Sequence, residues 1–222
     1  MKVYGINGSP RKTGNTATLL EEALAGARAA GAETERIDLY DLEYRGCYSC
    51  FDCRKLGGES YGRCAQRDGL TPTLDKLHTA DAILFASPVY CGSVSGEMTS
   101  FLERFLYPYS SYDEDRSSLY GRKIRTGFLY TMNAVKERME KSGWSYGFRN
   151  TEGAIEWALG PLNFYCSFDT WQFDDYSLYE TSLFDIPHKA QVHQEQFPID
   201  RKKSFELGNW CAGGTDTFHN NH

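Results

Sequence analysis

Residues 3–30 read VYGINGSPRKTGNTATLLEEALAGARAA. Val3 to Ile6 form a short β-prone run, and a Gly/Ser/Pro/Asn-rich stretch follows from Asn7 to Asn15. The pattern then changes period. Leu19, Leu20, Ala23, Leu24 and Ala27 recur at helical spacing, with acids early and Arg28 late. Gly31 is the stop signal. A strand, a polar loop and a helix in this order are the first unit of an α/β fold.

Working outward, the alternation repeats. Glu33 to Tyr40 reads as a second strand, and Leu70 to Thr79 as a short helix with Pro72 in its first turn. Ala82 to Ala86 (AILFA) is a continuous apolar run, as a buried parallel strand requires. A helix over Glu97 to Leu106 follows, then a strand at Ile124 to Thr131, a helix around Ala154 to Leu159 and a strand at Leu162 to Phe168. A last amphipathic segment runs from Pro187 to Gly208. About five strands alternating with helices predict a doubly wound, three-layer α/β domain with a parallel sheet. Such a sheet holds its ligand outside the carboxyl ends of the strands, where the winding reverses, so the loops after strands one, three and four are the candidate site.

Composition bounds the function. The 222 residues carry 24 Lys plus Arg against 30 Asp plus Glu, a formal charge of −6, which argues against nucleic acid as the main partner. No apolar run approaches the roughly 18–20 residues of a membrane span. The opening MKVYGINGSP lacks a charged leader followed by an apolar stretch, so a cytoplasmic location is expected. In that reducing setting, clustered cysteines among the seven point to metal, cluster or redox chemistry before structural disulfides. No Ser-His-Asp order or nucleophile elbow supports a hydrolase.

The first loop, Gly8-Ser9-Pro10-Arg11-Lys12-Thr13-Gly14-Asn15-Thr16, lies where free backbone N–H groups and a helix dipole converge. Ser9, Thr13, Asn15 and Thr16 add short side chains and Arg11 adds charge, a composition suited to a phosphate monoester. It is neither a Walker loop nor the Gly-x-Gly-x-x-Gly fingerprint. An ordinary polar turn capped by Asn15 or Thr16 is the alternative. The loop after strand three, Ser87-Pro88-Val89-Tyr90-Cys91-Gly92-Ser93-Val94-Ser95-Gly96, pairs an aromatic with small residues that let a flat ring approach the backbone. Its plain alternative is a β-turn capping the next helix.

Together, GSPRKTGNT and SPVYCGSVSGEMTSFLERF resemble the NADPH-dependent FMN reductase and iron–sulfur flavoprotein branch of the flavodoxin-like fold, over roughly residues 1–135. The resemblance implies a flavodoxin-like sandwich, and the expected arrangement is five parallel strands ordered 2-1-3-4-5 in an FMN-binding domain over 1–186, carrying a cysteine-rich insertion at 44–66, with a helical extension and tail at 187–222. It implies FMN, with the phosphate at Ser9, Arg11, Asn15 and Thr16 and the ring against Pro88, Val89, Tyr90, Gly92 and Ser93; Thr13 and Cys91, in the same two loops, are further candidate contacts. A third ring-facing loop falls around Thr131 to Val135. Cys91 replaces a second aromatic common in that branch, and Thr99 a common Lys. NAD(P)H is the implied co-substrate. Quinones, nitro compounds, flavins or similar acceptors would take the electrons, and a homodimer or homotetramer is expected. No catalytic side chain is required, because the flavin performs the redox step.

Cys47-x2-Cys50-x2-Cys53 is followed by Cys64 after a ten-residue gap. The resemblance implies a [4Fe-4S] cluster, and consecutive x2 spacings suit three thiolates on one cubane. The gap to Cys64 is longer than that motif has. Cluster-free redox thiols and zinc are the other two readings. With a cluster, the protein would exchange electrons with a ferredoxin-type partner. Cys166 and Cys211 read as buried hydrophobes. His188 and His193 have poor spacing for two ligands on one helix face, and Pro187 suggests a helix start at the surface. His78 ends a helix, where a cation is favourable, and His219 and His222 lie in a tail read as disordered.

Aromatics are 14% of the chain, and 20 of the 32 lie between Phe101 and Phe184. That excess, including Trp171-Gln172-Phe173, is expected to cover the flavin and to supply a subunit contact.

Overall fold

A computed structural model describes residues 1–221. The expected alternation is present: β1 (Lys2–Asn7), α1 (Asn15–Ala29), β2 (Glu33–Asp38), α2 (Thr71–His78), β3 (Ala82–Tyr90), β4 (Ser93–Val94) and α3 (Gly96–Leu106). Then come β5 (Arg125–Thr131), α4 (Lys136–Lys141), α5 (Trp144–Leu159), β6 (Leu162–Ser167), α6 (Ile186–Gln191) and α7 (Phe197–Cys211). Five strands pair in parallel in the order β2-β1-β3-β5-β6, and the two-residue β4 folds back antiparallel on β3. With β4 set aside, this is the expected 2-1-3-4-5 arrangement. β4 lay hidden because Cys91 and Gly92 make the turn with left-handed backbone, at φ of 52° and 79°.

Period-two alternation distributes the sheet's side chains between two cores. From β3, Ala82, Leu84 and Ala86 join Leu19, Leu20, Leu24 and Leu207 on one face. Ile83 and Phe85 join Phe101, Phe105, Phe128 and Phe148 on the other. The second face absorbs much of the aromatic excess as stacked rings, with Phe128–Tyr130 at 4.2 Å and Tyr130–Phe148 at 4.5 Å between centroids.

On the first face α7 lies directly on α1. Gly26 and Gly208 permit backbone contact there: a Cβ added to Gly208 would fall 1.7 Å from the Ala23 carbonyl oxygen, and one on Gly26 would fall 2.0 Å from that of Phe205. Cys166 and Cys211 are buried as expected, and burial pushes both thiols well up.

The end of the chain departs from the disordered reading. Asn221 accepts from the Cys166 N–H at 2.7 Å and donates to its carbonyl at 2.9 Å, while Asn220 accepts from the Phe164 N–H. These side chains occupy polar backbone groups along the β6 edge. His222 lies outside the described residues. Burial, aided by Arg63 and Arg122, lowers the pKa of His78, so its neighbours oppose the helix-end cation. Among the described residues no helix is long and apolar enough to cross a membrane.

Candidate active site

The winding reverses between β1 and β3, and a cavity of about 600 Å³ opens at their carboxyl ends. At the end of β1 the buried Asn7 side chain donates to Asp38 at 2.6 Å and accepts the Ser9 N–H at 3.1 Å. The Ser9 hydroxyl in turn accepts the Arg11 N–H at 3.2 Å. Gly14 occupies the N-cap of α1. No side chain caps this end among the described residues, and no acid lies in the first turn. Free amides with an unopposed dipole form an anion site.

Of the candidate residues, Ser9, Arg11, Asn15, Thr16, Pro88, Val89, Tyr90 and Cys91 line this cavity. Thr13 is exposed and outside the lining. Gly92 sits against the Trp144 indole, where an added Cβ would fall 2.6 Å from the ring. Ser93 turns to a separate groove between α3 and α5 that also contains Cys47. Thr131, Met132 and Asn133 supply the third wall, in the expected place. The Asn133 Oδ1 atom is buried and has no partner among the described residues. A buried acceptor left open costs about 1–3 kcal/mol, which a ligand N–H would recover.

The segment after β6 completes the cavity. Thr170, Gln172 and Phe173 line it, while Arg11 Nη1 donates to the Gln172 carbonyl and Asn15 Nδ2 to that of Trp171, both at 2.7 Å. Thr16 and Thr131 join hydroxyls at 2.6 Å. The aromatics here are paired among themselves, Phe173 on Tyr179 at 3.9 Å and Trp171 on Tyr176 at 4.5 Å. Aromatic density was the sequence signal for this cover. The backbone acceptors it offers to Arg11 and Asn15 had none.

The donor set therefore fits FMN. A phosphate matches the uncapped helix end and its Ser, Asn, Thr and Arg side chains. The Asn133 acceptor and the Pro88–Cys91 wall match a flat ring with polar edges.

The cysteine segment is held differently. Cys47 is exposed, Cys50 and Cys64 are half-buried and Cys53 is buried. Among the described residues, no three His, Cys, Asp or Glu side chains converge as metal ligands. As placed, these side chains form no closed ligand set. Burial raises the Cys53 thiol, with Arg54 opposing and the neighbouring thiols adding. Cys64 Sγ instead accepts from Arg104 Nε at 3.0 Å. Arg104 is fully buried and also donates to Asp68 and to the carbonyls of Arg45 and Gln66. Burial pushes the Asp68 carboxyl up, but the Arg104 and Leu70 hydrogen bonds outweigh it and leave its pKa lowered. One guanidinium so ties the segment to α3. Arg104→Gln should cost about 2–4 kcal/mol in chemical denaturation. An unchanged denaturation midpoint would contradict the clamp.

A family model for NADPH-dependent FMN reductase matches residues 1–124. An iron–sulfur flavoprotein of Methanocaldococcus jannaschii is 41% identical over 104 residues, 47% of this chain and 51% of that protein. One from Archaeoglobus fulgidus is 36% identical over 109 residues, 49% of this chain and 47% of that protein. The chain spans about half the length of the curated relatives it matches. Among solved structures, an NAD(P)H:quinone oxidoreductase from Methanothermobacter marburgensis superposes with a TM-score of 0.70 at 16% identity, covering 94% of this chain and 98% of that one. An azoreductase from Bacillus anthracis gives 0.66 at 12% identity, covering 94% and 99%. These two likenesses show a shared fold.

Proposed function

Since the chain belongs to the NADPH-dependent FMN reductase family, we propose that it binds FMN and passes reducing equivalents from a reduced nicotinamide to a small-molecule acceptor. The observation that carries this reading is one cavity joining an uncapped helix N-terminus, the Pro88–Cys91 wall and the unpartnered Asn133 oxygen.

Each group has a task that follows from its place. The α1 amides with Ser9, Asn15 and Thr16 hold the phosphate, and Arg11 neutralises part of its charge. Asn133 Oδ1 accepts a ring N–H and so fixes the ring's orientation. Pro88, Val89 and Met132 give that ring an apolar support, and Phe173 shields the phosphate end from water. When bound, FMN supplies the transfer of two electrons between nicotinamide and acceptor. The protein positions the participants and tunes polarity around them.

Purified protein should take up one equivalent of FMN, quenching or shifting its fluorescence. The loaded form should oxidise NADPH or NADH in the presence of benzoquinone with saturable kinetics. Uptake of FMN without nicotinamide oxidation would favour an electron carrier, and no uptake would overturn the reading.

A further inference from the structure

Val89, Met132 and Asn133 have a second side. They also line an adjoining chamber of about 570 Å³, walled further on by Trp144, Leu183 and Phe184. The chamber is mainly apolar, yet charged or protonatable groups line one part of it: Arg138 from α4, Asp169 and Asp185, and His188 and Lys189 from α6.

His188 is held with more precision than a surface helix start requires. Its Nδ1 lies 3.0 Å from Asp169 Oδ2, and its backbone N–H is capped by Asp185 at 3.0 Å. Asp169 is itself buried, has left-handed backbone at φ 49°, and donates its N–H to the Ala134 carbonyl. A non-glycine residue in that region costs about 1–2 kcal/mol and persists where its surroundings over-determine it. The other Asp169 oxygen is ion-paired with Lys189, which is 2% exposed and also donates to the Asn133 carbonyl at 3.1 Å. Lys189 thus compensates the carboxylate inside the protein. Asp169 orients the imidazole so that Nδ1 is the occupied nitrogen, and Nε2 has no partner among the described residues. Half of the His188 side chain remains in contact with solvent.

We propose that His188 is a catalytic acid for acceptor reduction, with Asp169 as its positioning residue, and that the second chamber takes a planar quinone-class acceptor. This rests on the FMN oxidoreductase reading. The quinone receives two electrons and one proton from the reduced cofactor, which is oxidised, and becomes a hydroquinone monoanion. The Nε2–H bond of protonated His188 breaks as the second O–H bond forms, giving neutral hydroquinone. Neutral His188 then regains a proton from water at its exposed edge. Asp169, Asp185, Lys189 and Arg138 are the charged groups around it, and Arg138 of α4 lines the same chamber. The apolar walls bind the ring of the acceptor, while His188 deals with the oxygen that needs a proton.

The test separates acceptors by their need for protons. FMN-loaded protein is reduced with dithionite, freed of excess reductant and mixed with benzoquinone or with ferricyanide, which takes electrons alone. His188→Gln should slow reoxidation by benzoquinone about 100-fold and Asp169→Asn about 10-fold, with ferricyanide rates within about twofold of the parent. A second readout needs no turnover. 4-Cyanophenol, whose phenol and phenolate absorb differently, should bind oxidised FMN-loaded protein with an enlarged phenolate fraction, and His188→Gln should lose that increase. Equal slowing with both acceptors, an unchanged phenolate fraction in His188→Gln, or displacement of FMN by the probe would each overturn the assignment. Protein that takes up no FMN would overturn the underlying reading and the assignment with it. Normal quinone reduction by His188→Gln would overturn the assignment alone.

Discussion

Asn15→Asp is expected to weaken FMN binding by about 100-fold or more while leaving the fold as stable as before. Asn15 is the first residue of α1, and its Nδ2 is one of the donors facing the cavity. The substitution is nearly isosteric. It exchanges a donor for an anionic acceptor at the place where a phosphate would sit. A charge-assisted hydrogen bond is worth about 1.5–3 kcal/mol, and repulsion between carboxylate and phosphate adds to its loss. At about 1.4 kcal/mol per tenfold, the lost bond accounts for about one to two decades, and the repulsion carries the total to two or more. The same carboxylate suits the bare end of the helix, because α1 has no acid in its first turn and no side-chain cap. An acid there contributes about 0.3–1 kcal/mol, offsetting the lost bond to the Trp171 carbonyl. Opposite effects on ligand and fold are the signature of an anion site. Isothermal titration with FMN and a thermal melt of the apo-protein read the two separately.

The largest effect on stability is expected at Gly208. Alanine favours a helix over glycine by about 1 kcal/mol, so an open position would gain from the change. At Gly208 the new methyl group would meet the Ala23 backbone oxygen at 1.7 Å, where even 3.0 Å requires something to move. The obstacle is helix backbone and has no rotamer to escape into. Separating α7 from α1 also opens the packing of Leu20, Leu24 and Leu207. Overpacking costs about 1–3 kcal/mol when side chains can adjust, and the upper end or beyond applies here. Gly208→Ala should therefore lower Tm by about 6–12 °C. Gly153 in α5 is the internal contrast: an added Cβ meets nothing within 4 Å. Gly153→Ala should raise stability by about 0.5–1 kcal/mol. Equal responses at the two positions would contradict the close contact of α1 and α7.

The features legible from sequence are those set by local period and local loop chemistry. The α1 stripe and the AILFA run each carry one unambiguous period, so the sheet and its flanking helices followed. The phosphate and ring loops lie beside their own strands, and residues such as Ser9, Thr16 and Tyr90 reach the cavity as expected. What escaped depends on contacts between distant segments. His188 meets Asp169 only because α6 folds back over the β6 loop, and no spacing rule reports that pairing. Arg104 is the clamp for Cys64 and Asp68 from a helix about forty residues away. The Cys47, Cys50 and Cys53 spacing is local, but a ligand set also needs Cys64 to converge with them. In the fold Cys64 accepts from the Arg104 guanidinium, a contact no local spacing reports. Thr13 illustrates the limit within a loop: it has the right chemistry but points to solvent.

The central claim is that the α1 end of the cavity recognises the phosphate of FMN. Parallel titrations of apo-protein with FMN and with riboflavin, which shares the ring and lacks the phosphate, test it most directly. FMN should bind at least about 100-fold more tightly, a difference of about 2.7 kcal/mol. Equal affinities would contradict the assignment of the phosphate to Ser9, Arg11, Asn15, Thr16 and the α1 amides.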